Sequence, residues 1–295
     1  MNYIYENGKL TLHLHKTVTC DELFTHFHLS KKLRYLYKVE KRITCHDSAV
    51  RKDEELLKDS VSITFMQEEP DWVPSSESAE VIYEDPFILI VHKPAGIIIH
   101  GEENDTECLN ARVARYYLDH DIHSFVRPIH RLDKETSGLV LYSKISFFQP
   151  FLDEMLAEKK IYRHYEAICF DNRRIQKHFV CNASIGKDRH HSNRYRISST
   201  GKTAKTTFDL LDRKDGYALI SCTLQTGRTH QIRVHLSSYG LYIVNDTMYG
   251  RTTRDFEAMG LWADTLQLVH PLTGKTMTIH DKPSKDYLYF NRKEN

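Results

Sequence analysis

The feature that most constrains the fold is a series of short apolar or alternating segments, each bounded by turn residues, along the larger, C-terminal part of the chain. Such segments are typical of β-strands. They occupy residues 87–93, 138–142, 162–170, 217–224, 266–269 and 276–280. Helices are predicted at 106–120, at 147–159 and through Leu236 and Ser237, where Gly240 would end the helix. Many strands and few helices predict an α+β fold with a large central sheet, mixed or antiparallel, and flanking helices.

One run, HRLDKETSG at residues 130–138, places the carboxylate of Asp133 beside the cation of Arg131 in a turn. Residues 134–138 have loop composition, and the strand that follows can hold the carboxylate firmly against a cleft. A rigidly held Asp beside an Arg suits covalent or electrostatic catalysis. The alternative is a surface loop with a local ion pair, because such pairs are common and mostly structural.

A second polar run, GRTHQIRVH at residues 227–235, follows the predicted strand 217–224 and leads into a helix. It contains no acidic residue, whereas a solvated helix face would mix charges of both signs. The polar side chains are those of Arg228, His230, Gln231 and Arg233. This pattern indicates a site for an anion, either a phosphate backbone or the carboxylate of Asp133, since the planar fork of arginine matches both.

The chain divides at residues 68–80, an acidic segment rich in Pro and Ser that is typical of a linker. The unit before it, residues 1–67, is predicted to contain helices at 21–27 and 30–39, with Ser30 as an N-cap, and strands at 43–46 and 61–65. The unit after it, residues 81–295, contains both polar runs and would be the catalytic domain.

The formal net charge of the 295-residue chain is only +1, so the total charge does not indicate a nucleic-acid partner. One stretch is locally basic, with Asp188 as its only acidic residue beside Tyr195 and two histidines. Its cations are Lys187, Arg189, Arg194, Arg196, Lys202 and Lys205. This stretch predicts a surface that follows a phosphate backbone, the alternative being an exposed hairpin with solvated charges.

The remaining composition argues against several other classes of protein. The six cysteines are scattered without a C-x-x-C spacing, and the histidine pairs have no carboxylate or Cys at ligand spacing, so no metal site is expected. Free thiols suit a reducing, cytoplasmic location. Residues 1–10 lack the apolar core of a signal peptide, and no apolar run is long enough for a membrane span, so no membrane partner is expected.

Six stretches, in order, resemble the RluA-type family of RNA pseudouridine synthases, the group that includes the ribosomal large subunit pseudouridine synthases. The two polar runs match that family's H-R-L-D-x-x-T-S-G and G-R-x-H-Q-I-R-V-H motifs. The other matches are KPAG at 93–96, YRHYEA at 162–167, the D-x-x-Y-G of residues 246–250, and HP at 270–271. Two positions depart from the family: His92 stands where Asn is usual, and Asn245 where Gly is usual.

The resemblance implies the pseudouridine synthase fold and an isomerase that converts uridine to pseudouridine in structured RNA, with large-subunit ribosomal RNA as the leading substrate and transfer RNA as the alternative. Asp133 would attack C1′ or remove the C2′ proton, and the sequence leaves both routes open. Arg233 would pair with Asp133 and aim it. Tyr165 would stack on the uracil and serve in proton transfer, with Tyr162 as the alternative. Isomerisation oxidises nothing and donates no group, so no cofactor is expected.

The remaining assignments concern RNA. A stacked target base has to be flipped out, and the resemblance assigns Arg131 to the space that it leaves. His130 would shape the loop, Arg228 would hold phosphate or the Asp133 loop, and His230 and Gln231 complete the expected RNA contacts. Residues 1–67 resemble the small alpha-L RNA-binding module that often precedes this catalytic domain, although its usual glycines are absent; a degenerate docking domain is the alternative. The resemblance implies a basic face on this module, made of Lys31, Lys32, Arg34, Lys38, Lys41 and Arg42. A monomer is expected.

Two other functions fit parts of the sequence. An RNA-binding protein that has lost catalysis is disfavoured because Asp133, Tyr165 and Arg233 are all present. A hydrolase that uses Asp133 like a glycosidase nucleophile needs a second carboxylate a few ångströms away. Glu135 is too near in sequence to be an obvious opposing partner.

Overall fold

The computed structural model describes residues 2–102, 105–174 and 176–290, and two main β-sheets lie on either side of residues 65–79. The elements of the N-terminal part are β1 (Asn2–Glu6), β2 (Lys9–His13), β3 (Val18–Thr19), α1 (Cys20–His26), α2 (Lys31–Val39), β4 (Ile43–Cys45), β5 (Ser48–Ala49), β6 (Leu56–Leu57) and β7 (Ser60–Thr64). The first sheet has the order β1-β2-β7-β4-β5, and β3 pairs with β6.

A larger sheet dominates the rest of the chain. The elements that follow are β8 (Glu80–Glu84), β9 (Ile88–Lys93), α3 (Leu109–Asp119), β10 (Arg127–Pro128), β11 (Ser137–Ser143), α4 (Gln149–Ala157), β12 (Tyr162–Phe170), β13 (His178–Cys181), β14 (Ile185–Lys187), β15 (Tyr195–Ile197), β16 (Thr206–Lys214), β17 (Tyr217–Leu224), α5 (Gln231–Ser238), β18 (Leu261–Val269), β19 (Thr276–His280) and α6 (Lys285–Leu288). Within the described residues this sheet has ten strands, in the order β13-β16-β17-β12-β18-β11-β9-β8, with β10 beside β11 and β19 beside β18.

The predicted α+β fold with a large mixed sheet is confirmed. Strands β11 and β18 run parallel, whereas β12 is antiparallel to both of its neighbours. The predicted strands at 162–170, 217–224 and 276–280 have the observed bounds. The N-cap at Ser30 is also confirmed, since its hydroxyl accepts the backbone N–H of Leu33 at 3.3 Å.

Several strands were not predicted, among them the hairpin of β1 and β2. Its turn is Asn7-Gly8, and both residues have positive φ, 50° and 73°. An Asn-Gly pair between alternating residues is the strongest short-range hairpin signal, so the sequence did contain the information. The sequences of strands β13 to β16 show weaker apolar alternation, because most of their residues are polar or only half-buried.

Residues 68–79, the core of the predicted linker, contain no helix or strand but lie against the larger sheet's helices and loops. Backbone N–H groups of Ser75 and Ala79 donate to carbonyls of Ala111 and Arg112 in α3, at 3.0 and 3.1 Å. The carboxylate of Asp71 accepts the N–H of Val126 at 3.0 Å. The segment is therefore docked, and the division of the chain into two units stays a prediction.

An aromatic cluster joins the N-terminal sheet to the larger one. The ring of Phe147, just before α4, lies 5.1 Å from that of Phe27, 5.2 Å from Tyr37 and 5.5 Å from Phe65. Phe147 is fully buried. Because aromatic side chains bury large areas and prefer such tilted and edge-on pairs, this cluster fixes the first sheet against α4.

One close approach of strands positions the loop that contains Asp133. Gly138 lies at the start of β11 with φ of 118°, opposite Ala263 of β18 in the parallel pair. A β-carbon at Gly138 would lie 2.4 Å from the carbonyl oxygen of Ala263. Only glycine allows both this backbone conformation and this approach, so it sets the point at which the loop enters the sheet.

Replacement of Phe147 by alanine should lower the free energy of unfolding by about 3–5 kcal/mol, since it leaves a cavity between the two sheets. Urea unfolding followed by tryptophan fluorescence measures the change. Tyr35→Ala is the matched control, because the Tyr35 side chain is 63% exposed and its loss should change stability by less than about 0.5 kcal/mol. Equal effects of the two substitutions would contradict the role given to the cluster.

Candidate active site

A buried lysine at the end of β9 holds the loop between β10 and β11 against the sheet. Lys93, at the end of β9, has no exposed surface, and its Nζ donates to the carbonyls of Pro94, Ile97 and Lys134 at 2.9, 2.8 and 2.8 Å. Three acceptors match the three protons of an ammonium group. The loop is therefore tied to the sheet one residue after Asp133.

Burial lowers the pKa of Lys93 to about 7, although the negative charges of Glu135 and Asp133 oppose this shift. The three carbonyl acceptors also favour the charged form, because a neutral amine can donate only two hydrogen bonds. The ammonium places a positive charge on the buried side of the loop that contains Asp133. Lys93 is the one charged residue of the sequence motif KPAG.

Arg233 connects two carboxylates at the centre of the site. Its Nη1 donates to Asp133 Oδ2 at 3.1 Å, as predicted. Its Nε and Nη2 donate to the two carboxylate oxygens of Asp246 at 2.8 and 2.9 Å. The planar fork of the guanidinium therefore grips Asp246, and Asp133 receives a single hydrogen bond from the remaining nitrogen.

Asp246 is a functional residue that sequence reasoning matched to a motif but gave no role. It is 1% exposed and also accepts the backbone N–H groups of Met248 and Tyr249 at 2.9 and 3.0 Å. Burial alone would raise the pKa of Asp246, but the hydrogen bonds and charge of Arg233 outweigh it and hold that pKa below its usual value. Burial likewise disfavours the charged form of Arg233, yet the two carboxylates raise its pKa.

The two departures from the family pattern now have structural reasons. Asn245 has φ of 56°, a left-handed conformation that glycine adopts freely and that Asn adopts more readily than most other residues. His92 Nδ1 donates to a carboxylate oxygen of Asp281 at 2.7 Å, and the same oxygen accepts the indole N–H of Trp262 at 2.8 Å. Neither residue lines the cleft described next.

A cleft of about 750 Å³ lies beside Asp133 and is lined by residues from α4, β12, the 224–230 loop and α5. Tyr165 of β12 is 5% exposed and lines the cleft, and burial raises the pKa of its hydroxyl, with Arg163 opposing and Asp133 adding to the rise. Tyr162 also lines the cleft but is 38% exposed, with its hydroxyl bonded to that of Thr223 at 3.0 Å. The more buried Tyr165 is thus the one enclosed near Asp133.

Two residues expected to contact RNA are buried in structural positions. Gln231 is 3% exposed, and its amide nitrogen donates to Lys205 O and Thr206 Oγ1 while its oxygen accepts from Thr226 Oγ1 and Arg228 N. With its donors and acceptor engaged, it has no polar group left for RNA, and we correct that assignment. Its role is to tie the loop before α5 to β16.

His130 is also buried, and burial, assisted by the charge of Arg163, lowers its pKa to about 3. The Nε2 of the neutral ring accepts the backbone N–H of Leu141 at 3.3 Å. This bond supports the loop from inside, which agrees with the expectation that His130 shapes it. The buried, hydrogen-bonded position of this ring disfavours its contact with RNA.

Gln231 and His130 both line the cleft, and so do the other predicted residues. Arg131 is exposed, with Nη1 3.3 Å from His100 Nε2. Arg228 Nε donates to the Thr203 carbonyl at 3.0 Å. His230, with φ of 56°, lies with Nε2 3.8 Å from Asp133 and Nδ1 2.9 Å from the Tyr249 hydroxyl.

The basic stretch predicted to follow phosphates forms the β14–β15 hairpin next to this site. Tyr195 donates its backbone N–H to the Tyr249 hydroxyl at 2.7 Å, and its ring lies 5.7 Å from that of His230. The guanidinium of Arg194 lies over the Tyr249 ring at 5.3 Å. The hairpin therefore packs against Tyr249 and His230 beside the cleft, and its contact with RNA stays a prediction.

The basic face expected in residues 1–67 is partly neutralised. Three of its cations form ion pairs within the same unit, namely Arg34 with Asp21, Lys38 with Asp53 and Arg42 with Glu40. Lys31, Lys32 and Lys41 remain exposed. RNA binding by this unit stays a prediction, with three cations rather than six to support it.

Across the described residues no group of three or more His, Cys, Asp or Glu side chains could hold a metal ion. The six cysteines are free thiols. No helix in the described ranges is long and apolar enough to cross a membrane.

Residues 87–238 match the family described as RNA pseudouridylate synthase. The chain is 37% identical, over 68% of its length and 67% of the relative's, to an RNA pseudouridine synthase of Bacillus subtilis called uncharacterized. It is 33% identical to the ribosomal large subunit pseudouridine synthase D of Nitrosomonas europaea, over 74% of this chain and 67% of that one. The fold is similar to that of human RNA pseudouridylate synthase domain containing 1, with a TM-score of 0.59 at 20% identity over 71% of this chain and 85% of that one.

Asp246→Asn should lower the free energy of unfolding by about 3–5 kcal/mol at pH 7, because it leaves the buried Arg233 without its charged partner. The pKa of Asp246 is lowered in the folded state, so its contribution is present above the unfolded pKa and is lost as the pH falls through the folded value. The variant should therefore lose less stability than the wild type below about pH 4.

Urea unfolding between pH 2 and pH 7 measures both effects. Asp209→Asn is the control, because the Asp209 side chain is 47% exposed and pairs only with His178, so its loss should cost at most about 1 kcal/mol. A cost for Asp246→Asn no larger than that of the control would refute the central role of the pair.

Proposed function

This chain belongs to the RNA pseudouridylate synthase family and converts uridine in RNA to pseudouridine, and we propose that its target lies in large-subunit ribosomal RNA. The names of its relatives support this substrate, since several are ribosomal large subunit pseudouridine synthases. We further propose that the protein acts as a cytoplasmic monomer, with transfer RNA as the alternative substrate. Mapping of pseudouridines in cellular RNA with and without the protein tests the substrate.

The observation that carries the proposed catalytic site is the Asp246–Arg233–Asp133 chain beside an otherwise cationic cleft. Asp133 is the only carboxylate among the described residues that line the cleft. Its side chain is 26% exposed, so it can meet a nucleotide while the hydrogen bond from Arg233 holds it in a fixed orientation. Asp133 is the reacting carboxylate, by attack on C1′ or by removal of the C2′ proton.

The bond from C1′ to N1 then breaks, the detached uracil turns, and C5 bonds to C1′. Tyr165 forms the enclosed wall on which the uracil stacks, and its hydroxyl serves in proton transfer. The exposed Arg131 enters the space that the flipped base leaves. Arg228, His230 and the β14–β15 hairpin hold the backbone around it.

A glycosidase-like hydrolase is disfavoured because the second carboxylate that it needs is missing from the described cleft. Glu135, the neighbour considered from sequence, does not line the cleft. Hydrolysis would release free uracil and leave an abasic site, which chromatography of the reaction distinguishes from pseudouridine.

Asp133→Asn should reduce pseudouridine formation by about 10⁴-fold or more while the protein stays folded, since the substitution removes the reacting carboxylate. Release of tritium from C5-labelled uridine in RNA measures turnover. Glu135→Gln is the matched control, because it removes a carboxylate from the same loop outside the cleft and should keep near-normal activity. Substantial tritium release by Asp133→Asn would remove Asp133 from the reaction.

Arg233→Lys keeps a positive charge but cannot hold Asp246 with two hydrogen bonds and reach Asp133 with a third. The chemical rate in single-turnover experiments at saturating RNA should fall by about 100-fold, as expected when a reacting group is misplaced by about 1 Å. RNA affinity should change little, because the guanidinium is buried behind Asp133. A near-normal rate together with weaker, more salt-sensitive binding would make Arg233 an RNA-binding residue.

A further inference from the structure

Arg163 is a charged residue of the cleft that lies within the YRHYEA stretch but has no role in the reaction described so far. It lies on β12 two residues before Tyr165, so both side chains project from the same face of the strand, and both line the cleft. Its guanidinium extends toward the 224–230 loop, where a β-carbon at Gly227 would lie 3.0 Å from Nη2.

The guanidinium of Arg163 has no partner in the described protein. Its Nε is buried without a hydrogen-bond acceptor, and no ion pair or hydrogen bond joins its other nitrogens to the described residues. Arg233, which lines the same cleft, uses three nitrogens on two carboxylates. A half-buried guanidinium without acceptors is costly, and it is a common sign that a ligand supplies them.

The position of Arg163 indicates which ligand group it meets. Its charge acts on the two most enclosed ionisable groups at this end of the cleft, the Tyr165 hydroxyl, whose pKa it lowers against the effect of burial, and the His130 ring. The cations Arg131 and Lys159 also line the cleft but are exposed, whereas Arg163 is half-buried. Arg163 lies beside Tyr165, on which the uracil is proposed to stack. Its donors therefore face the uracil base and not the phosphate backbone of the RNA.

The reaction needs a donor at this place. When the C1′–N1 bond breaks, its electron pair leaves with uracil, and the negative charge spreads over N1, O2 and O4. The charge disappears when C5 uses an electron pair to bond to C1′, after which the C5 proton passes to a base and N1 takes up a proton. Donors aimed at charge that develops during the reaction accelerate it more than donors to the ground state.

We propose that Arg163 is a further catalytic residue that donates hydrogen bonds to a uracil carbonyl oxygen and stabilises the detached uracil anion. This role rests on the proposed function, and it holds for either route by which Asp133 cleaves the bond. The alternative is that Arg163 binds a phosphate of the RNA strand.

Two RNA substrates separate the roles, one with uridine and one with 5-fluorouridine at the target position. Fluorine withdraws electrons and makes the leaving base a weaker base, so it needs less stabilisation by a donor. Single-turnover loss of the N1-linked nucleotide at saturating RNA is measured by nuclease digestion and mass spectrometry. Arg163→Met removes the donors and keeps the aliphatic stem, and Arg163→Lys keeps the charge without the fork.

With uridine RNA, the rate for Arg163→Met should fall by about 100-fold or more, the loss seen when one donor to a developing anion is removed. With 5-fluorouridine RNA, the fall should be several times smaller. Arg163→Lys should show the same pattern with smaller losses, and it carries the test if Arg163→Met does not fold, as judged by its melting temperature. Lys275→Met, which removes one positive charge from the exposed turn between β18 and β19, should leave both rates unchanged.

Equal losses with the two substrates, or a normal rate at saturation with weaker binding and a shallower salt dependence, would overturn the proposal in favour of a phosphate contact. The wild-type protein supplies the separate check on the proposed function. If it converts uridine RNA while both Arg163 variants behave like Lys275→Met, the proposal for Arg163 alone fails. If the wild-type protein forms no pseudouridine in any RNA tested, the proposed function itself fails.

Discussion

The rest of the site depends on the buried pair of Arg233 and Asp246. A guanidinium that is 5% exposed needs a charged partner, because removal of a charge from water costs several kcal/mol. Asp246 is that partner, and two backbone N–H groups of its own turn hold it in place. Asp246 alone neutralises the charge of Arg233. The third guanidinium nitrogen can therefore orient Asp133 with one hydrogen bond, and Asp133 need not be buried. The proposed reacting carboxylate thus stays partly exposed while its supporting charge is rigid.

The Asp133 loop is fixed from two other sides as well. Lys93 holds it through the carbonyl of Lys134, and Gly138 admits the start of β11 into close contact with β18. These three constraints come from β9, from α5 with the turn after it, and from β18, which lie far apart in the chain. A carboxylate held in this way loses little freedom when a nucleotide arrives, and that is the physical basis of preorganisation.

The N-terminal part bears on function through packing rather than charge. Its aromatic residues form a shared core with Phe147 and Phe148, so the first sheet has a fixed place beside α4. Three of its six candidate RNA-binding cations are engaged in ion pairs on its own surface. The side chains of these three paired cations are mostly buried. The exposed Lys31, Lys32 and Lys41 are the cations left to meet a phosphate backbone.

The sequence by itself determined the fold class, the bounds of β12, β17 and β19, and the membership of Asp133, Tyr165 and Arg233 in one site. It could do so because apolar periodicity is local, and because the two polar runs have residue types that solvated surfaces do not need. Tyr165 was assigned only through the resemblance of residues 162–167 to a family motif. Tertiary structure alone decided how the polar residues divide their hydrogen bonds. Gln231 and His130 were expected near RNA, yet burial turned them inward, and the fork of Arg233 went to Asp246 instead of Asp133. Arg163 lies in a matched stretch, but its sequence position gave it no role, because an arginine without a partner is recognised only when the residues around it in the fold are known. A side chain's partners depend on which strands become neighbours, and that is a property of the whole fold.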